Sequence, residues 1–361
     1  MSFSILAINP GSTSTKVAIY KDTTEVWKKG VSHPSEELAR FRRIQDQLEL
    51  RKTAVLDGVR ESGIPLSDIS AIVGRGGLLK PLPGGVYEVN DLMKADLVAA
   101  RYGAHASNLG ALIADSLAAR IGVKAYVVDP VVVDELDPIA RRSGIPEIPR
   151  RSIFHALNQR AIARKAAQSL GRPYAECSLI VAHMGGGISI GIHVAGRVVD
   201  VNNALDGDGP FAIERAGTVP AGDWMRWVLT HQHDPQALQL MITGKGGLVA
   251  HLGTNEFPEI ERSARGAGSL DRSLCDELIR SLCYQISKSI AALAAFTEGR
   301  VDAVVLTGGL AYSERVVQDI SRRVSFLAPV LVYPGENELE ALAMGVREVL
   351  RGEACALTYE G

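Results

Sequence analysis

The sequence predicts an α/β protein of two related halves, each opening on an antiparallel strand pair and continuing into parallel strands and helices. Three observations carry this. SILAINPGSTSTKVAIY, residues 4–20, reads as an apolar strand, a glycine turn and a second, alternating strand, and SLIVAHMGGGISIGIHV, residues 178–194, repeats the plan. His183 stands 174 positions after Asn9, and the same spacing sets Gly185 against Gly11. Further apolar runs, AYVVD, DAVVLTGG and PVLVYPG, close on a polar residue or glycine, the end that faces the ligand crevice in open α/β sheets. A nucleotide could lie between two such halves.

In chain order, the turn from Asn9 to Lys16 is a hairpin and not a Walker loop. GSTSTK lacks the second glycine of GxxxxGK[ST], and KVAIY continues as a strand instead of a helix. SEELARFRRIQDQLEL, residues 35–50, places Leu38, Phe41, Ile44 and Leu48 on one face of a helix. Arg75 follows the apolar AIV and stands among glycines, while SNLGALIADSLAARIG is a helix that ends at Gly122. AYVVD ends at Asp129. The basic, Pro-rich RRSGIPEIPRRS, residues 141–152, suits the passage between an N-terminal domain, residues 1–150, and a C-terminal domain, residues 151–361. The last helix, from about residue 337, could pack back on the first domain.

Composition narrows the chemistry. With 361 residues, 46% hydrophobic and 22% charged, the chain can bury a large core. A net charge of −2 offers no basic field for nucleic acid, and no run of about twenty apolar residues suits a membrane span. Four scattered cysteines, without CxxC spacing, fit idle thiols in a reducing cytoplasm better than a disulfide scaffold or a zinc site. No secretory leader is expected at the N-terminus, so the chain reads as cytoplasmic. Small-molecule chemistry is the class that remains.

A phosphate tail is held by backbone N–H groups that only residues without Cβ let approach closely, by hydroxyl donors and by a cation. Asn9, Gly11, Ser12, Thr13, Ser14 and Lys16 supply these in one turn, although a plain hairpin with a solvated lysine needs no more. The second turn, HMGGGIS, is harder to explain without a ligand, because Gly185, Gly186 and Gly187 are entropically costly to order. A third turn, at Gly308 and Gly309, could cradle adenosine or its α-phosphate. Phosphoryl transfer also needs positive charge around the migrating group. Arg75 and Arg215 both lie in glycine-rich loops after strand-like segments; a loop arginine is ordinarily just solvated, but the pair raises the odds of a role. Asp129 is placed for a divalent cation or for capping a turn, and Glu338 for the same cation or for the N-terminus of its own helix. Lone histidines such as His105, His155 and His183 are more often structural than catalytic.

Taken together, LAINPGSTSTK, GRGGLLKPLPGG, DPVVVDELDPIAR, RRSIFHALNQRAIARK, HMGGGISI, DGDGPFAIERAGT, LTGGLAYSE and NELEALAMG are similar to the motifs of the acetokinase family, nearly end to end. The acetate-directed members continue the second loop as HLGNG; HMGGG lacks that asparagine and resembles the butyrate-directed branch. The resemblance implies a duplicated ribonuclease H-like fold of the actin and hexokinase type, with an interdomain nucleotide cleft. It implies ATP-dependent, reversible phosphorylation of a short-chain carboxylate, butyrate or isobutyrate, to an acyl phosphate and ADP, with Mg²⁺. By the same resemblance Arg75 meets the carboxylate, Arg215 and His155 stabilise the migrating phosphoryl group, and Asp129 is the acidic residue of the reaction centre. Asn9, Asp129 and Glu338 would associate with the metal and Lys16 would contact phosphate. His183, Gly185, Gly186 and Gly187 would form the second phosphate loop, and Gly308 with Gly309 the adenosine loop. A homodimer or higher homo-oligomer is the implied assembly. Two alternatives stay open: an acetate or propionate kinase of the same family, and an actin-like ATP-binding assembly or sensor protein without enzymatic activity.

Overall fold

In this computed structural model residues 2–231 and 234–361 are described. They divide into two units, Met1–Asp134 with Asn337–Gly361, and Glu135–Glu336.

The first unit is built outward from β1 (Ser4–Pro10), buried at nearly every position because it is flanked on both edges. On one side β2 (Ser14–Lys21) pairs with it antiparallel, and β3 (Thr24–Ser32) pairs antiparallel with β2. On the other side β4 (Ala71–Arg75) is parallel to β1; beyond it come β5 (Val86–Glu88) and β6 (Lys124–Val128), of which β6 is parallel to β4.

The second unit repeats the scheme. Its meander is β7 (Ser178–Met184), β8 (Ile188–Val194) and β9 (Arg197–Val201), and parallel β10 (Ala303–Gly308) and β11 (Val330–Pro334) extend the sheet beyond β7. A short β12 (Leu357–Thr358) returns to the edge of the first sheet beside β5. The sheet orders are β12-β5-β6-β4-β1-β2-β3 and β11-β10-β7-β8-β9. The cores β3-β2-β1-β4-β6 and β9-β8-β7-β10-β11 thus share order and direction, which is the duplication that the repeated hairpin predicts. Register matches as well: Asn9 opposes Lys16 and His183 opposes Ser189. The turns differ by one residue, since Pro10 pairs with Thr15 whereas Met184 pairs with Ile188.

Helices fix the strand ends. Asn108–Ile121 approaches β4 so closely that a Cβ on Gly74 would overlap the carbonyl of Gly110, and one on Gly110 the carbonyl of Arg75. This pair of glycines therefore sets the position of Arg75. The last helix, Glu338–Leu350, packs on β1, β2, β4, β5 and β6 of the first unit. Ala156–Ser169 packs on β7 and β10, with His155 just before its first turn. Residues 141–152 lie in the second unit, where Arg150 is tied to Asp200 at 2.8 Å and to the Val201 carbonyl at 3.1 Å.

One helix differs from expectation. In place of a continuous 35–50 segment there is a single turn at Ser35–Leu38, a 3₁₀ turn at Ile44–Gln47 and a helix at Leu48–Glu61. Apolar periodicity misplaces it because Leu38, Phe41, Ile44 and Leu48 are only half-buried, while polar Gln47 and Arg51 are buried. The cysteines form no disulfide: Cys177, Cys275 and Cys283 are buried and Cys355 is exposed. Burial pushes the Cys283 thiol up to about 12. Among the described residues no helix is long and apolar enough to cross a membrane.

Candidate active site

The first hairpin turn is organised from beneath. Arg51, fully buried in Leu48–Glu61, donates from Nη1 to the carbonyls of Gly11 (2.8 Å) and Ser14 (3.0 Å), and from Nη2 to that of Ser12 (3.0 Å). It also reaches Thr15 Oγ1 at 3.2 Å and Gln47 Oε1 at 3.0 Å, and Thr13 O accepts from His33 N at 2.8 Å. With its carbonyls drawn inward, the turn presents its exposed residues, Ser12 and Thr13, to solvent. All these partners of Arg51 are neutral oxygens, and burial holds its pKa below the ordinary value. A guanidinium stays charged even so, and leaves positive potential behind a turn suited to an anion. Lys16, exposed on β2 and opposite Asn9, adds a second cation.

Arg75, Glu338 and Asn9 meet in the same unit. Arg75 holds Glu338 through both terminal nitrogens, Nη2 to Oε1 at 2.9 Å and Nη1 to Oε2 at 3.0 Å, a bidentate fork. Asn9 Nδ2 donates to Glu338 Oε2 at 2.5 Å, and Arg75 Nη1 lies 3.4 Å from Asn9 Oδ1. Glu338 does open its helix, but its carboxylate is directed to these partners. Asp129 follows β6, is buried, and takes the left-handed backbone conformation at φ 37°, where a non-glycine residue is strained. It is held by mutual bonds with Gly85: Asp129 Oδ1 accepts from Gly85 N at 2.8 Å, and Asp129 N donates to Gly85 O at 3.0 Å.

In the second unit the triple glycine has a visible cause. A Cβ on Gly187 would overlap the guanidinium of Arg215, and one on Gly185 would stand 3.3 Å from Glu336 Oε1. Arg215 Nη1 donates to Ala204 O at 2.5 Å. Burial lowers its pKa, while Glu214 and Asp206 act in the opposite direction, so the guanidinium remains a cation. His155 and His183 stack, with ring centroids 3.8 Å apart and planes 13° from parallel. His183 is buried, with Nδ1 2.8 Å from Asn158 Oδ1 and Nε2 3.0 Å from Glu336 Oε1. His155 Nδ1 lies 2.8 Å from Ser189 Oγ. Gly308, at φ 88°, lets β10 pass the backbone of Met184, and exposed Gly309 follows it. His105 binds Ser107 beside the start of Asn108–Ile121, a structural contact.

Sequence reading missed Arg51, Ser189, Asn158, Gln159 and Glu336. Arg51 carried a signal, a charged residue in the stripe Leu48, Arg51, Val55, Val59 that would otherwise be core. The others have ordinary local contexts.

Hard oxygen donors suit Mg²⁺, which keeps waters and takes one or two carboxylates plus substrate phosphates. Asn9, Glu338 and Asp129, all in the first unit, fit that donor chemistry. Among the described residues no group of three or more His, Cys, Asp or Glu side chains could hold a metal ion by itself.

The pattern that describes the acetokinase family matches residues 143–345. The chain is 48% identical over 359 residues to a probable butyrate kinase of Clostridium botulinum, spanning 99% of this chain and 100% of the relative. It is 47% identical to butyrate kinase 2 of Clostridium acetobutylicum, over 100% of both chains. Among solved structures it resembles acetate kinase from Porphyromonas gingivalis, with a TM-score of 0.78 at 18% identity over 96% of this chain and 100% of that one. A propionate kinase from Francisella tularensis gives a TM-score of 0.72 at 18% identity over 95% of this chain and 98% of that one. These two likenesses bear on the fold, the duplicated α/β architecture described above. The family match and the full-length relatives show that this chain belongs to the acetokinase family.

Proposed function

We propose that the chain transfers the γ-phosphoryl group of ATP to a short-chain carboxylate, butyrate or isobutyrate before others, forming an acyl phosphate and ADP reversibly. The observation that carries this is the Arg75 fork, which already grips a carboxylate, that of Glu338, in bidentate geometry. The full-length relatives named butyrate kinases support the acceptor.

A carboxylate is already an anionic nucleophile, so no base has to deprotonate it; the difficulty is bringing two anions together. Arg75 orients the acid and neutralises it. A carboxylate oxygen forms the new bond to phosphorus as the bond to the β-phosphate oxygen breaks, and ADP leaves with that electron pair. Arg215 and His155 hold equatorial oxygens of the migrating group, while the first turn, with Arg51 behind it and Lys16 beside it, binds phosphate. His183 and the glycines at 185–187 form the second phosphate loop, and Gly308 and Gly309 approach adenosine. Asn9, Asp129 and Glu338 would hold Mg²⁺, and the ion would supply positive charge to offset the negative charge of the phosphates. Family resemblance supports a cytoplasmic homodimer or larger homo-oligomer.

An acyl-hydroxamate assay with ATP and Mg²⁺ tests the substrate class, using acetate, propionate, butyrate, isobutyrate and valerate, with glucose followed by ADP release. The highest kcat/KM is expected at the four-carbon acids. A maximum at acetate would transfer the reading to the acetate branch, and hydroxamate from none of them would overturn it.

A further inference from the structure

A chain of hydrogen bonds runs through the second unit from Tyr174 to His155. Tyr174 Oη lies 2.7 Å from His193 Nδ1, and His193 Nε2 lies 3.1 Å from Gln159 Oε1. Gln159 Nε2 donates to the Ser189 carbonyl at 2.9 Å and to Ser189 Oγ at 2.7 Å. Ser189 Oγ in turn lies 2.8 Å from His155 Nδ1. His193, Gln159 and Ser189 are each fully buried, so the bonds among these three are made away from competing water, while the bonds to half-buried Tyr174 and His155 lie at the two ends. Gly191 is part of the arrangement: a Cβ there would stand 2.8 Å from Gln159 Oε1.

Donors and acceptors in this chain can be assigned from one fixed point. The Ser189 carbonyl only accepts, so the Gln159 atom facing it is the NH₂ group, and the oxygen of Gln159 faces His193. His193 Nε2 must then carry the proton. Deep burial together with the charges of Arg160 and Arg164 pushes His193 down to about 3, so the ring is neutral and its Nδ1 accepts from the Tyr174 hydroxyl. Ser189 Oγ already accepts from Gln159 Nε2 and, at 3.4 Å, from the His155 backbone N–H. Its own hydrogen is left for His155 Nδ1.

We infer that Ser189, Gln159 and His193 are positioning residues that hold His155 with its ring proton on Nε2, making that nitrogen the donor offered to the phosphoryl group. The stack on His183 fixes the plane of the same ring. The inference rests on the reading of His155 as a phosphoryl-contacting residue, and adds to it a tautomer and the cause of that tautomer. Without the relay, neutral imidazole distributes its proton between two nitrogens, and the molecules with Nδ1–H present a lone pair where an anion must bind.

Ring-¹⁵N histidine spectra of the whole protein at about pH 8, where an ordinary histidine is neutral, read the tautomer directly, with His155→Ala identifying the signal. The expected result is a protonated Nε2 and an unprotonated Nδ1 on His155. In Ser189→Ala the signal should move to a tautomer mixture, with kcat down roughly 10- to 100-fold, by analogy with the loss when the hydrogen-bond partner of a metal-bound histidine is removed, and little change in either KM. Gln159→Glu, nearly isosteric, replaces the donor to Ser189 with an acceptor and should give the same two changes. A proton on Nδ1 in wild-type enzyme overturns the relay without need of any variant. So does Ser189→Ala with unchanged kcat and tautomer. Wild-type turnover in His155→Ala would instead remove the catalytic reading of His155, a separate outcome.

Discussion

Arg75 and Glu338 lie 263 residues apart in sequence and form a bidentate ion pair, 2.9 and 3.0 Å long, with Asn9 bonded to the same carboxylate. Both side chains are mostly withdrawn from solvent, at 23% and 13% exposure. A carboxylate substrate would compete with Glu338 for the fork, and release of Glu338 would free an oxygen ligand where a metal is expected. Arg75→Lys keeps the charge and loses the planar fork, so KM for the acid should rise about tenfold or more, with KM for ATP changing much less. An equal rise in both would contradict the assignment of Arg75 to the acid.

Under the proposed function Arg215 would hold the migrating phosphoryl group. Arg215→Ala should reduce kcat by about 10³-fold or more, the scale of arginine loss in phosphoryl transfer, with near-wild-type circular dichroism. Gly187→Ala should resemble it in milder form, because its Cβ would displace the guanidinium. Wild-type turnover in Arg215→Ala would remove the residue from the mechanism.

Arg51 bonds to the carbonyls of Gly11, Ser12 and Ser14. Arg51→Met removes the buried donor to the Gly11 and Ser12 carbonyls, while the Ser14 carbonyl keeps its bond from Gly11 N at 2.8 Å; losing hydrogen bonds to a charged group costs about 1.5–3 kcal/mol. A lower urea midpoint is expected together with a raised KM for ATP. An unchanged KM for ATP at saturating acid would show that the buried cation serves the fold alone.

His193 links pH to stability. Its folded-state value is depressed to about 3 from an ordinary 6.5, so the unfolded chain binds a proton that the folded chain refuses. The neutral ring costs nothing above the ordinary value, and stability is lost as pH falls from about 6.5 toward 3. Urea unfolding across that window should show the loss, and His193→Gln should flatten it. A wild-type slope in the variant would place the acid sensitivity elsewhere.

Thiol reactivity checks the burial pattern. Only Cys355 is exposed, and burial pushes Cys177, Cys275 and Cys283 up. In native protein a disulfide reagent should titrate one thiol rapidly and the remainder only in denaturant. Rapid reaction of a second thiol would contradict the packing around it.

Much of the fold could be read from sequence, because the repeated hairpin and the apolar runs ending in polar residues report strand order through local pattern. The segment at 35–50 could not, since the contacts that decide it belong to Arg51 and a turn some forty residues away, not to an apolar face. Residue types needed for an anion site were legible at Asn9, Arg75, Arg215 and the glycine turns. Their partners were not: Asn9 meets Glu338 across 329 residues, and His155 meets Ser189 across 34. Ser189 looks like any strand serine until β8 is laid beside β7, and only then does it stand where Lys16 stands in the first unit.

The central claim is that phosphoryl passes directly from ATP to a carboxylate oxygen. The most direct measurement is the configuration at phosphorus after one turnover with butyrate and ATP made chiral at the γ-phosphorus with oxygen isotopes. Direct in-line transfer requires inversion, the expected result. Retention would mean two displacements through a phosphorylated side chain, and would contradict the account.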